Sequence, residues 1–454
     1  MPSAAFVKFW RTDLTRDCFL SYVAKEDCQT LRLVCHNFST TVAPHLFADI
    51  KLSFDINSFT RLARMAALER IGYHVRTFSF HMPHTPDTFL APLLDPVTGE
   101  EQTFLYEPSL GSSRPSSSTS RASTPKYGTR EMNDLLVKQY PPIFHAATNI
   151  SSFIRAFDAM PFLRHLRISC PGQPLGQRYR RDAVDYALIS LRMAVERVVL
   201  PDLDTLSLQP IHPAAVLYLR PQIGIGASPA STKRWRNIKK LTVEMDSFSF
   251  GPEHPSDHLK ILHTYLKSLT SLESLSFRWI GSKGPSPLSL HMEPCVAASR
   301  VFDCSSACPK SGANPPFAAL KFRHLKNMLL ENATVDAVQI SDFIMSHRKV
   351  LHDFEFEDVR LRSGNWDDAL APLTRISGNE DWKMKQEEVR DVPLILSPTT
   401  CYPPECVDEI MWGDERKGRR TLQTLRKASL KTKEMLGAGP EHLKKLLRSS
   451  FLWR

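Results

Sequence analysis

The sequence predicts an α/β protein in which a short N-terminal helical module is followed by an irregular α/β solenoid. Three observations carry this prediction. An apolar-x-x-apolar-x-apolar pattern recurs seven times after residue 70. Amphipathic helical stretches lie between several of the copies. A separate stripe, Leu31, Val34, Cys35 and Phe38, sits early in the chain at i, i+3, i+4, i+7 spacing, which is one face of a helix.

The N-terminal stripe belongs to "DCQTLRLVCHNFSTTVAPHLFADIKL", residues 27 to 52. After Pro44, the residues Leu46, Phe47 and Ile50 repeat the helical spacing, so the stretch predicts two short helices joined by a proline break. Such a pair buries little between its own faces. The module, residues 1 to 52, is therefore expected to need a partner inside or outside the chain.

The repeated pattern reads as strands. Its copies are Val75-Phe78-Phe80, Leu163-Leu166-Ile168, Leu203-Leu206-Leu208 and Ile238-Leu241-Val243, then Leu272-Leu275-Phe277, Leu325-Met328-Leu330 and Leu351-Phe354-Phe356. From residue 163 onward the copies start 40, 35, 34, 53 and 26 residues apart, so the period is loose. Helical patterns at 182 to 199, 257 to 270 and 335 to 351 fall between them. A strand, then a helix, then a strand returns each strand in the same direction, which predicts a parallel sheet. This is the pattern of a degenerate leucine-rich-repeat array, with a doubly wound α/β domain as the alternative.

Two stretches interrupt the array. Residues 107 to 130, "EPSLGSSRPSSSTSRASTPKYGTR", are rich in Ser, Thr, Pro and Arg with almost nothing to bury, which predicts a disordered insertion. Within it, Arg114 precedes Ser117, Arg121 precedes Ser123, and Thr124 precedes Pro125, so it reads either as kinase sites or as a bare spacer. Residues 281 to 316 form a second long excursion. The expected organisation is a helical module at 1–52, a first repeat region at 53–106, the insertion, a repeat domain at 131–412 and a basic tail at 413–454.

Charge sharpens that division. The chain of 454 residues carries a net charge of +10. Residues 413 to 454 hold twelve Lys/Arg against four acids, a net of +8, so the rest is nearly neutral. The tail has charge enough to bind phosphate backbones but lacks interleaved aromatic residues for stacking on bases. Nucleic-acid binding is therefore disfavoured, and a non-enzymatic scaffold or a nucleic-acid- or chromatin-associated binding protein using the tail stands as the alternative function. No apolar run approaches the ~20 residues that cross a bilayer, so no membrane partner is expected. The start shows no secretory signal, and nine scattered cysteines suit free thiols in a reducing compartment, cytoplasmic or nuclear.

Chemistry-bearing motifs are sparse. There is no GxSxG, phosphate-binding loop or HExxH, and "GIGASP" at 224 to 229 lacks a third glycine, so no enzymatic activity is expected. Cys295, Cys304 and Cys308, with Cys401 and Cys406, miss zinc-knuckle spacing, so neither a metal nor another cofactor is expected.

"TLRLVCHNFSTTVAPHLFADIKL" resembles the second half of an F-box as found in fungal F-box proteins, with "LRLVC", an aromatic, and a Pro-x-Leu-Phe exit. "TRDCFLSYVAKEDCQTLRLVC" resembles the first half, with Phe19, Tyr22 and Val23 in the first helix and "TDLT" at 12 to 15 where the family carries Leu-Pro. Residues 363 to 398 are similar to a C-terminal block of such proteins. The resemblance implies the substrate-receptor subunit of an SCF-type ubiquitin ligase. Its F-box would dock on a Skp-type adaptor, and through it a cullin, using Phe19, Tyr22, Val23, Leu31, Val34, Cys35, Phe38, Leu46 and Phe47. The repeats would hold an unknown protein target.

Strand alternation places the target face. With the apolar positions inward, Arg167, Ser207, Thr242 and Ser276 should face outward from four central strands, with Asp204 and Lys239 beside them.

Overall fold

The computed structural model describes residues 3–104, 106, 130–172, 182–221, 231–248, 250, 257–290, 293 and 319–377. Outside them lie most of the serine-rich insertion, most of the 281–316 excursion, "GIGASP", Cys295, Cys304, Cys308, Cys401 and Cys406, the 363–398 block beyond Ser377, and the basic tail.

Four helices open the chain: α1 (Ala4–Arg11), α2 (Asp13–Tyr22), α3 (Lys25–Val34) and α4 (His36–Leu46). The break falls at Cys35, which is fully extended at φ −163° and ψ 167°, while Pro44 lies inside α4. This corrects the expected break at Pro44. The extended residue folds α4 back against α3, so Leu31 and Phe38 reach one core from two helices instead of lining a single stripe.

Eight strands then form one sheet. In chain order they are β1 (Asp49–Ser53), β2 (Thr77–His81), β5 (His165–Cys170), β6 (Thr205–Ile211), β7 (Lys240–Asp246), β8 (Ser274–Ile280), β9 (Asn327–Glu331) and β11 (Asp353–Glu357). The short pairs β3 (Leu93–Leu94) with β4 (Glu101–Gln102), and β10 (Thr334–Val335) with β12 (Arg360–Leu361), stand apart. The main strands neighbour one another in chain order, β1-β2-β5-β6-β7-β8-β9-β11, and every adjacent pair is parallel. A doubly wound domain would reverse its strand order at a switch point. No reversal occurs among the described strands.

All seven predicted copies become strands of this sheet. The first apolar residue of each, Val75 through Leu351, lies two residues before its strand and is buried. The eighth strand, β1, falls where helix was expected, and Ile50 pairs with Phe78 in it. The module boundary at 52 is thus corrected to the end of α4, because Ile50 and Leu52 alternate inward as strand residues do.

The joints between strands repeat as well. The carbonyls of Ala48, Arg76, Arg164, Asp204, Lys239, Glu273 and Lys326 each accept two successive amides at the entry of the next strand, at 2.7–3.2 Å. Behind these joints run two apolar rows. One is Ile50, Phe78, Leu166, Leu206, Leu241, Leu275, Met328 and Phe354, and the other runs from Leu52 to Phe356.

Helices supply the other half of that core. They include α5 (Leu62–Ile71), α6 (Arg130–Gln139), α7 (Pro142–Ala147), α8 (Ile150–Asp158) and α9 (Ala183–Arg197). Further on come α10 (Val216–Leu219), α11 (Ser231–Trp235), α12 (His258–Ser268), α13 (Ala337–His347) and α14 (Trp366–Ser377). Three answer the helical patterns at 182–199, 257–270 and 335–351. The Asp182 side chain accepts from Val184 N to start α9, and Asp336 with Gln339 forms a capping box on α13. Residues from Phe54 to Ala369 share one core, whereas the N-terminal helices have their own.

Candidate functional site

The strand residues facing away from the core stand in registered rows. One row reads Lys51, Ser79, Arg167, Ser207, Thr242, Ser276, Leu329 and Glu355, each opposite the next. The four outward positions read from the sequence are therefore adjacent. Arg167, Thr242 and Ser276 are half-buried. Ser207 is a correction: it is 3% exposed and its hydroxyl lies 2.8 Å from His165 Nε2, so it is committed within the row beneath any partner. Burial, and then the Arg167 guanidinium, lowers the pKa of His165 and favours its neutral ring.

Asp204 and Lys239 lie at strand entries, beside the row and not in it. Here charges alternate along the joint ladder. Glu273 sits 3.7 Å from Lys239 and 2.7 Å from Lys326. The hydrogen bond from Lys326 is the main influence holding the half-buried Glu273 carboxyl below its usual range. A cavity of about 340 Å³ opens here against Arg164, Asp204, Arg236 and Lys239. Another, of about 320 Å³, lies over the far end of the sheet against Ser276, Asn327, Leu329, Asp353 and Glu355.

The N-terminal helices present a different surface. Trp10, Leu20, Cys28, Val42 and Leu46 form their core, with Phe9, Val23, Leu31, Phe38 and Phe47 packed around it. Phe38 meets Trp10 edge-on at 4.4 Å between ring centroids, and Trp10 Nε1 donates to Asn37 Oδ1 at 3.0 Å. This module does hold a core of its own, because α1 brings Trp10, a helix that the stripe did not predict. Leu46 is buried within it, which removes it from the expected anchors. Val23, Leu31, Phe38 and Phe47 serve mainly inside.

Of the expected anchors, Phe19, Tyr22, Val34 and Cys35 are exposed. They are joined by two residues that the sequence reading missed, Leu14 at 82% and Leu33 at 86% exposure. Leu14, Cys18 and Tyr22 lie at i, i+4, i+8 on α2, an apolar stripe in the open. That spacing was in the sequence and could have found them.

A buried polar cluster sits where β2, β5 and β7 end. His84 Nδ1 is 3.4 Å from Asp182 Oδ2, which also accepts from the Thr88 hydroxyl at 3.0 Å. Burial first, then the Asp182 charge, pushes the neighbouring Asp185 carboxyl up to about 7, with the Tyr218 side chain close by. Burial likewise raises Asp246 and drives the Cys170 thiol far up. This arrangement can keep a proton on a carboxyl near neutral pH. No sequence spacing links its members, which only the fold assembles.

A scan against protein-family models matches none, and a search of curated proteins also finds no match. Among the described residues, no helix is long and apolar enough to cross a membrane. Among the same residues, no group of three His, Cys, Asp or Glu side chains is placed to hold a metal.

Proposed function

We propose that this chain is the substrate receptor of an SCF-type ubiquitin ligase. In this reading the N-terminal helices act as an F-box on a Skp-type adaptor, and a leucine-rich-repeat-like solenoid holds the target. The observation that carries it is the pairing of two unlike surfaces. An apolar stripe stands open on a small helical module with its own core, and beside it a parallel sheet presents an open polar face. Sequential parallel strands and the repeated two-amide joints support the solenoid reading.

An adaptor groove that takes apolar side chains would receive Leu14, Tyr22 and Val34, with Phe19 at the edge. Outward residues Arg167, Thr242 and Ser276, with Asp204 and Lys239, would read the target. In this reading the chain acts by binding and breaks no bond itself.

Affinity capture with mass spectrometry tests both halves. Leu14→Asp with Tyr22→Asp should lose the adaptor and keep the target, whereas Arg167→Glu with Lys239→Glu should lose the target and keep the adaptor. Adaptor recovery unchanged by the first pair, in a protein that still unfolds cooperatively, removes the F-box assignment.

A further inference from the structure

Because the strands of the sheet are parallel, their entries gather on one edge. Seven stretches lead into the strands from β2 onward: 72–76, 159–164, 198–204, 236–239, 269–273, 319–326 and 348–352. Together they hold nine Lys/Arg and three acids, a net of +6 in a chain that is nearly neutral outside its tail. All nine cations are exposed, whereas the acids Asp202, Asp204 and Glu273 are half-buried. Of the nine, only Lys239 and Lys326 make an ion pair among the described residues, both with Glu273. A cation just past a helix C-terminus answers the helix dipole, which accounts for Arg236 after α11 and for Arg348 and Lys349 after α13. It does not account for Arg76, Arg164, Lys239 and Lys326, each of which stands directly at a strand entry.

Two further features lie on the same edge. Tyr73 and Phe162 precede β2 and β5 and are 52% and 45% exposed, large rings left open beside the cations. Arg76 lies over the Phe162 ring at 4.9 Å and donates to its carbonyl at 3.3 Å, which fixes the two together. In the middle of the edge is the cavity of about 340 Å³, where Arg164, Arg236 and Lys239 meet Asn237, Asp202 and Asp204. Donors for an anion and acceptors for an amine therefore share one wall. The seven entries span roughly 29 Å at about 4.8 Å per strand, which suits a line of anions and not a single one.

We propose that this strand-entry edge binds a single strand of nucleic acid. The exposed Lys and Arg would track the phosphates, and Tyr73 and Phe162 would stack on unpaired bases. These are the aromatic partners that the basic tail lacks. In the cavity, Arg164 and Arg236 would hold a phosphate while the carboxylates of Asp202 and Asp204 accept from exocyclic amines of a base, as carboxylates do from cytosine. A duplex keeps its bases paired and would leave the two rings unused. The site lies beside the outward row assigned to targets. It goes beyond the receptor reading and does not depend on the adaptor assignment.

Fluorescence anisotropy of labelled oligo(U) and oligo(dT) with the full chain, over a range of salt, tests this. Arg164→Ala with Arg236→Ala should weaken binding several-fold and flatten the log–log salt slope by about 1.4, at about 0.7 per phosphate contact. Arg164→Lys with Arg236→Lys should leave the slope near that of wild type. Ultraviolet cross-linking of 4-thiouridine or bromodeoxyuridine oligonucleotides, mapped by mass spectrometry, should mark Tyr73 and Phe162. A preference for oligo(U) or for oligo(dT) names the source as RNA or DNA, and either supports the proposal. Cross-links confined to residues 413–454, or a salt slope that the alanine pair leaves unchanged, would overturn it. Duplex bound as tightly as single strand would also overturn it, since the rings then contribute nothing. Displacement by poly-glutamate at equal charge would assign the edge to an acidic protein and reject the nucleic-acid site.

Discussion

Arg192 on α9 is entirely buried, and its charge is answered by Glu196 one turn later. Arg192 Nη1 donates to both carboxylate oxygens at 2.9 Å, the two side chains are 0% and 5% exposed, and Trp235 Nε1 on α11 also donates to Glu196 Oε1 at 2.9 Å. Glu196→Gln keeps an acceptor for the indole and removes the charge. Breaking this buried pair should then cost about 3–5 kcal/mol. Arg192→Met in the same background removes the stranded charge and fills a similar volume, so the double variant should regain most of the loss. Chemical denaturation followed by tryptophan fluorescence reads both, and the double variant's midpoint should return close to wild type. A Glu196→Gln loss below about 1 kcal/mol would place the pair in water, as at an exposed site. A double variant as unstable as the single would show that the charge is not what matters.

Two further predictions follow from packing and protonation. Asp185 holds its proton to about pH 7 when folded, against an ordinary value of 3.8, so the folded state binds more protons between those limits. Stability should fall as pH rises from about 4 to 7, by at most about 1.4 kcal/mol per unit, and Asp185→Asn should flatten that slope; an unchanged slope would contradict the assignment. A Cβ at Gly284 would run into the Trp279 ring, which is 1% exposed and fixed by its Nε1 donating to Pro285 O at 3.0 Å. Gly284→Ala should therefore cost about 1–3 kcal/mol in thermal or chemical unfolding, whereas a neutral result would show that the ring can move.

The sheet was legible in the sequence because each strand buries one face, and a period of two is hard to disguise in a half-buried strand. The same template even fits Phe47, Ile50 and Leu52 at β1, but helical spacing nearby concealed it. The helical module was less legible. Leu31 through Phe38 match a single stripe, and only the extended Cys35 turns that stripe into two helices around Trp10. Periodicity reports which residues are apolar on one side, not whether that side faces a core or a partner. For that reason Leu46 read as an anchor and Leu14 was overlooked. The cluster around His84 and Asp185 was not legible, since its members come from distant segments and meet only where the strands end. Ser207 shows the finer limit: strand alternation placed its direction correctly, but the His165 side chain that engages it lies on a neighbouring strand.

The central claim is that the exposed stripe on α2 binds a Skp-type adaptor. Titration calorimetry of the purified full chain with a purified adaptor tests it most directly. A 1:1 complex with a negative heat-capacity change, as apolar burial requires, is the predicted result. Leu14→Asp with Tyr22→Asp should weaken it by at least 2 kcal/mol, about 30-fold. No heat of binding, or an affinity that the double variant leaves unchanged, would contradict the account.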